Sequence, residues 1–309
     1  FGIEEPMPLV LEADWESFLV DRSDSADYYP ATLHFEEKGE LLKMPMRIRV
    51  RGNFRRKSSI CSIPPIRLRF RRSQRQGTVF HPHKKLKLVS SCQGDLYVIR
   101  EYLGYKLYQL FAEESYQVRL VNITLRDHNP LLPEREHLSF VIEDEDHLAD
   151  RLSLDLIEHI NPEPKMLDQA DLLRLTLFHF VIGNMDWDIP MEKNLSFLRQ
   201  DSLEMLTPVP YDFDWSGLVN APYTMLPEDF ERRQVKPLCV SSTLAQQVWQ
   251  EVIQLEDAVD ELLKAFPHLP GAERRILRQY CRNSFRMMRK DDFWQQLVET
   301  ECEEEVPAH

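Results

Sequence analysis

The chain has 309 residues, 43% hydrophobic and 29% charged, enough for one large or two modest domains with their own cores, and its ordinary usage excludes collagen, coiled coil and wholesale disorder. No run of uncharged apolar residues is long enough to cross a bilayer, and the 9 glycines form neither a Gly-rich phosphate loop nor a dinucleotide fingerprint, so any nucleotide site must be built differently. The net charge of −13 hides a division along the chain: residues 41–110 hold 17 Lys and Arg against only Asp95 and Glu101, a net of +15, while the remainder carries −28.

Such asymmetry is expected of a basic lobe facing an acidic one, a pairing suited to a polyanion held with a divalent metal. Nucleic acid is not expected as a partner, because no recognisable nucleic-acid module accompanies the basic block.

In chain order, Ala31 to Phe35 followed by Lys38-Gly39 predicts a strand and a turn. Arg47-Ile48-Arg49-Val50-Arg51 alternates with a period of two, which sends Ile48 and Val50 to a core and three guanidinium groups to the opposite face. The pattern recurs in Ile66 to Arg71 and more briefly in Leu86-Lys87-Leu88, predicting a mostly antiparallel sheet with one positive face. A helix is predicted over 96–112, then a strand pair, Val118 to Leu125 and Leu138 to Glu143, joined by a Pro-rich loop.

After residue 145 the character changes. A periodic helix begins at Asp171 with Leu172, Leu175, Phe178 and Ile182, and amphipathic helices are predicted over 242–266 and 272–289. The expected organisation is α+β: a β-rich basic unit over 1–145, a mainly helical unit over 146–298 and an acidic tail over 299–309. Five cysteines show no zinc-binding spacing. Cys61 and Cys92 flank one strand pair, as a disulfide in an exported protein or as buried thiols in a cytoplasmic one. The chain begins with Phe1, as it would after removal of a secretory signal peptide, so export to the periplasm or cell surface is the expectation.

The segments that carry chemistry are Gly183-Asn184-Met185-Asp186-Trp187-Asp188, then Asn194, then Tyr211-Asp212-Phe213-Asp214. A helix should stop at Gly183, which takes the left-handed conformation without a Cβ penalty. The loop after it presents Asp186. Asn194 then enters a strand, and after a turn near 200–202 a second strand delivers Asp212 and Asp214. One hairpin thereby collects carboxylates and a carboxamide, hard oxygen donors suited to Mg²⁺ alongside phosphate oxygens. Phosphoryl transfer needs such parts, together with a cation on the phosphates. Asp is also a common turn and cap residue, so each of these positions has a purely structural reading as well.

At these residues the chain resembles HipA-type atypical kinases, through Gly183 to Asp186, Asn194 and Tyr211-Asp212-Phe213. Arg51-Gly52-Asn53, the Pro65 to Phe70 strand, Glu101-Tyr102-Leu103, Ile142-Glu143 and Asp212-Phe213-Asp214 are more similar to CotH-type spore-coat and surface protein kinases. The resemblance spans about residues 45–220. It implies a bilobed protein-kinase-like fold with an antiparallel-sheet N-lobe carrying one helix and a mainly helical C-lobe, binding ATP and Mg²⁺ (or Mn²⁺) between the lobes. It further implies Asp186 as catalytic base and Asn194 and Asp212 as metal ligands, with Asp214 a second candidate. Arg67 or Arg69 occupies the strand of the family's phosphate-binding Lys, Glu101 would pair with that cation, and Glu143 would lie near the adenine.

Two departures stand out. Asp186 and Asn194 are further apart in sequence than in the HipA-type pattern, and Arg stands where the family has Lys, so Lys85 or Lys87 on the neighbouring strand is the alternative ammonium. The implied activity is transfer of the ATP γ-phosphate to a Ser/Thr protein side chain or a small hydroxyl acceptor. The alternatives are a pseudokinase that binds nucleotide or protein without turnover, and a metal-dependent phosphohydrolase.

Overall fold

The computed structural model describes residues 1–2, 5–23, 25–200, 205–227 and 230–299. The predicted turn at 200–202 and acidic tail fall almost wholly outside them, as does Cys302. The chain divides into two units. The first comprises Phe1–Tyr102, Tyr116–Arg151 and Ala221–Tyr223, and the second Leu103–Ser115, Leu152–Asn220 and Thr224 onward.

In the first unit β1 (Met7–Ala13) leads through α1 (Trp15–Val20) to β2 (Tyr29–Glu37), β3 (Glu40–Val50) and β4 (Ile66–Phe70). The one-turn α2 (Arg72–Arg75) and β5 (Lys85–Val89) come next, then α3 (Asp95–Phe111), whose end belongs to the second unit. After β6 (Val118–Asp127), β7 (Arg135–Glu143) and α4 (Glu145–Leu152), the chain enters that unit.

The expected mostly antiparallel sheet is present, but it closes on itself, which the alternation does not predict. The seven strands form a closed barrel in the order β1-β2-β3-β4-β5-β7-β6, sealed by a parallel β1–β6 pair with Leu9 opposite Ile123. Closure removes the two free edges that an open sheet would have to protect. Alternation acts as expected within it: Leu33, Met44, Ile48, Leu68 and Leu86 lie in the buried core, and the intervening arginines of β3 and β4 form part of the outer wall. The basic face is therefore the outside of a barrel. The unit also carries α1, α2 and α4 in addition to the one predicted helix. Cys61 and Cys92 form a disulfide with their Cα atoms 4.8 Å apart, fastening the loop after β3 to the segment before α3. Cys239 is also disulfide-bonded, and Cys281 is a buried free thiol.

The second unit contains β8 (Asp155–Ile157), α5 (Gln169–Ile182), β9 (Leu195–Arg199), β10 (Leu206–Pro210), α6 (Ser242–Ile253), α7 (Glu256–Ala265) and α8 (Gly271–Met288). Its small sheet runs β10-β9-β8. Helix α5 is buried from Leu172 to Ile182 apart from Arg174, as befits a central helix. The helix predicted over 242–266 is two helices, broken at Gln254 and Leu255. Asp260 on α7 accepts hydrogen bonds from Arg278 and Arg282 on α8, which ties the last two helices together. Among the described residues no helix is long and apolar enough to cross a membrane.

Candidate active site

Helix α5 opens with Asp168, whose carboxylate accepts the Ala170 and Asp171 N–H groups, and stops at Gly183 in the left-handed conformation (φ 62°, ψ 52°). A side chain at Gly183 would also run into the Tyr280 hydroxyl, so this position needs glycine for space as well as for its backbone. The Asn184 N–H returns to the His179 carbonyl at 2.9 Å. Asn184 is buried, and its two amide ends do different jobs. Oδ1 accepts the Asp186 N–H at 3.0 Å, while Nδ2 donates to His179 Nδ1 at 3.2 Å. His179 must be unprotonated there, in keeping with burial, which with the nearby Lys236 charge holds its imidazole well below the ordinary value. The loop that presents Asp186 is thus fixed from within by a carboxamide.

The long interval between Asp186 and Asn194 folds back on itself. Asp188 and Lys193 pair through backbone hydrogen bonds of 2.9 and 3.2 Å, and the Glu192 N–H reaches the Ile189 carbonyl. Glu192 takes φ 50° and Asn194 φ 56°, a region that Asn enters more readily than most residues. The result is that Asn194 Nδ2 donates to Asp186 twice, to its Oδ2 at 3.0 Å and to its carbonyl at 2.6 Å. Lys193 forms an ion pair with the other Asp186 oxygen. The extra residues are absorbed in a closed turn without separating the two side chains.

Strand register brings the third segment to the same end of the hairpin. Leu195 lies opposite Pro210, and the Tyr211 N–H donates to the Asn194 carbonyl at 3.0 Å, so Asp212 follows directly on Asn194's backbone partner. Asp212 itself adopts φ 61° and donates its N–H to Tyr105 Oη at 2.9 Å. Phe213 is fully buried against Tyr105 and Phe178, and a Cβ on Gly104 would come within 2.9 Å of its ring. That anchored ring fixes the turn between Asp212 and the buried Asp214.

Among the described residues no group of three or more His, Cys, Asp or Glu side chains clusters to hold a metal. The donors here are instead a carboxamide oxygen, Asn194 Oδ1, and the Asp212 and Asp214 carboxylates, of which Asp214 is largely enclosed. This chemistry fits Mg²⁺, which takes one or two protein carboxylates and keeps the rest of its octahedron for phosphate and water. Asp188 has a different task, since its Oδ1 caps the Met191 N–H at 3.0 Å and closes the turn. Trp187 stacks on His179 with ring centroids 4.9 Å apart, and Lys236 Nζ lies 3.9 Å from the Trp187 ring centroid.

In the first unit, Lys87 projects from β5 on the outer side of the barrel, opposite Arg67 of β4. Its side chain is buried, forms an ion pair with Glu145 and lies 5.3 Å from the Tyr116 ring centroid. Burial is the main reason its ammonium falls to about 8 from 10.5; Arg51 and Arg67 push the same way and Glu145 opposes them. Glu145 feels burial upward, yet Lys87 brings it below the ordinary carboxyl range. Lys85, one rung along, is bound to Asp146 at 3.0 Å.

The remaining predicted positions fall as follows. Glu101 is buried on α3 and receives both arms of Arg55, at 2.7 and 3.1 Å. Arg69 is exposed, its guanidinium 5.3 Å from the Tyr28 ring centroid beside Arg47 and Arg49, so it belongs to a different part of the barrel wall from Lys87. Glu143 is fully enclosed: its oxygens accept from the Gln117 N–H, His147 and Arg151, which makes it a brace where β7 meets α4. A nucleotide contact by that side chain has no oxygen to spare. Sequence reasoning missed Lys193, Arg55 and Glu145. Only Lys193 left a signal, a cation immediately before the candidate Asn; the other two gain meaning through pairings across 46 and 58 residues.

No protein-family model matches the chain, and no curated protein matches it. Among solved structures, the chain is similar to the crystal structure of a Helicobacter pylori proinflammatory kinase, CtkA, at 10% identity, with 82% of this chain and 95% of that chain covered and a TM-score of 0.41. At that distance the likeness assigns no chemistry to any residue of this chain.

Proposed function

We propose that the chain is a CotH-like atypical kinase that transfers the γ-phosphate of ATP to a Ser/Thr protein side chain or a small hydroxyl acceptor. The observation that carries the reading is the Asp186–Asn194 hydrogen-bonded pair at the end of the β9–β10 hairpin, with Asp212 next along the chain from Asn194's backbone partner. Asp186 is the base that takes or orients the acceptor hydroxyl proton, held in place by Asn184, Asn194 and Lys193. Asn194 Oδ1 and Asp212 would hold Mg²⁺ or Mn²⁺, with Asp214 the further candidate; the ion supplies neutralisation of phosphate charge. Lys87, an ammonium kept partly desolvated beside Arg67, is our assignment for the phosphate cation in preference to Arg69. The Cys61–Cys92 disulfide supports export to an oxidising compartment.

The test is incorporation of ³²P from γ-labelled ATP with Mg²⁺ or Mn²⁺ into casein, myelin basic protein and the chain itself. Wild type should incorporate label and Asp212→Ala should not, while both melt at similar temperatures. Binding of ATP without incorporation would instead support the pseudokinase reading, favoured by one observation: Lys193 already neutralises the candidate base. Equal phosphate release with and without acceptor would support a phosphohydrolase.

A further inference from the structure

The basic wall of the barrel contains a second arrangement, whose Arg47, Arg49 and Arg69 have no part in the proposed phosphate transfer. Arg47 and Arg49 stand two residues apart on β3, opposite Arg69 and Arg67 on β4. In a strand pair this makes a grid with a step of about 6.7 Å along the chain and about 4.8 Å across it. Three of the four guanidinium carbons, those of Arg47, Arg49 and Arg69, lie 5.4, 5.2 and 5.3 Å from the centroid of a single ring, Tyr28. One Arg47 nitrogen donates to the Tyr28 carbonyl at 3.2 Å. Among the described residues no carboxylate forms an ion pair with Arg47, Arg49 or Arg69. Beside the grid lies a cavity of about 440 Å³ lined by Tyr28, Arg47, Arg71, His128, Pro30 and Pro45.

Like charges gathered without counter-charges are costly, and the chain has acids to spare, with a net charge of −13. The Tyr28 ring centroid lies within 5.4 Å of three guanidinium carbons, and a guanidinium that is not paired in the protein can fork onto carboxylate or phosphate. We propose that this outer wall of β3 and β4 docks an extended peptide bearing anionic side chains at alternate positions. In an extended chain, residues i and i+2 point the same way at the same step as the arginine rows, whereas i and i+1 point to opposite faces. The prolines and Tyr28 supply the apolar border that a peptide backbone packs against. A nucleic acid is disfavoured by the −28 carried outside residues 41–110, which repels a long polyanion. The docking stands whether or not the chain transfers phosphate.

The test is fluorescence polarisation with fluorescein-labelled decapeptides on the full chain. One carries two phosphoserines at i and i+2, a second has them at i and i+1, a third replaces them by Glu at i and i+2, and a fourth has serine only. The i,i+2 phosphopeptide should bind at least tenfold more tightly than its i,i+1 isomer, the Glu peptide should fall between it and the serine control, and binding should weaken with salt. Arg47→Gln and Arg49→Gln should each weaken it at least fivefold, and Arg47→Lys, which keeps the charge but loses the fork, should give an intermediate value. Unchanged melting temperatures of these variants separate lost docking from lost folding. Equal affinity for the two phosphopeptide isomers, indifference to Arg47→Gln and Arg49→Gln, tighter binding of a single-stranded oligonucleotide of equal charge, or no binding of any peptide would each overturn the proposal.

Discussion

The candidate residues of the two units are held in different ways. In the barrel unit, Lys87, Glu101 and Arg55 are attached to or packed against regular elements and each has an ion-pair partner: Glu145 for Lys87, and each other for Arg55 and Glu101. In the second unit, Asp186, Asn194 and Asp212 sit on turns whose backbone is fixed by positive φ at Asn194 and Asp212, by the Tyr105 hydroxyl on the Asp212 N–H and by the Asn184 amide on the Asp186 N–H, while the Asp186 carboxylate also meets Asn194 and Lys193. Buried pairs fail when either member is removed, because the survivor is left uncompensated. Turn-borne groups tolerate substitution of the functional end while the backbone scaffold stays intact. The two units should therefore respond differently to mutation, one mainly through stability and the other mainly through activity.

The largest effect should come from the second unit. Asp186→Asn keeps the shape and a hydrogen-bonding end but loses the proposed base, so phosphate incorporation should drop by about 10²–10⁴-fold with the melting temperature nearly unchanged. A large loss of stability in that variant would break the contrast. In the barrel unit, Arg55→Ala strands the Glu101 carboxylate and should cost about 3–5 kcal/mol in urea unfolding. Replacing both partners by apolar residues of similar size should recover much of that, which sharpens the point that the pair specifies and does not simply add stability.

Between these lies Asn184→Ala, which leaves buried polar groups around His179 and the Asp186 N–H without a partner. We expect a loss of about 1–3 kcal/mol together with reduced turnover, since this one side chain both supports the turn and aims the base. The smallest and most specific effect is in pH. The Lys87 value of about 8 lies below its ordinary 10.5, so between those values the unfolded chain binds more protons and this group makes the fold more stable as pH rises. If Lys87 holds the phosphates as proposed, ATP affinity should fall over the same window, by up to about tenfold per pH unit. Isothermal titration of ATP against pH, alongside urea unfolding, should show the two trends running in opposite directions, and Lys87→Arg should flatten the binding trend.

The same contrast governs what can be read from the amino acids. Alternation in Arg47 to Arg51 and Ile66 to Phe70 correctly separates Ile48 and Leu68 from the arginines, because a strand's two faces are encoded locally. Barrel closure is not so encoded. It depends on Met7–Ala13, a strand containing Pro8 and Glu12, finding Val121–Asp127 far along the chain. Gly183 declares its helix end through its own conformational freedom, whereas the break between α6 and α7 falls at Gln254 and Leu255, where neither residue is a helix breaker. At the candidate site, the Asp-rich turns are visible as residue types. The closed turn that returns Asn194 to Asp186 needs the Asp188–Lys193 pairing, which no local pattern announces.

We propose that Asn194 and Asp212 share one divalent ion at the end of the β9–β10 hairpin. The direct measurement is the anomalous scattering of Mn²⁺ in a crystal grown with a non-hydrolysable ATP analogue. A peak about 2 Å from an Asp212 carboxylate oxygen and from Asn194 Oδ1 is expected. A peak that touches neither side chain, or nucleotide bound with these two pointing to bulk solvent, would contradict it.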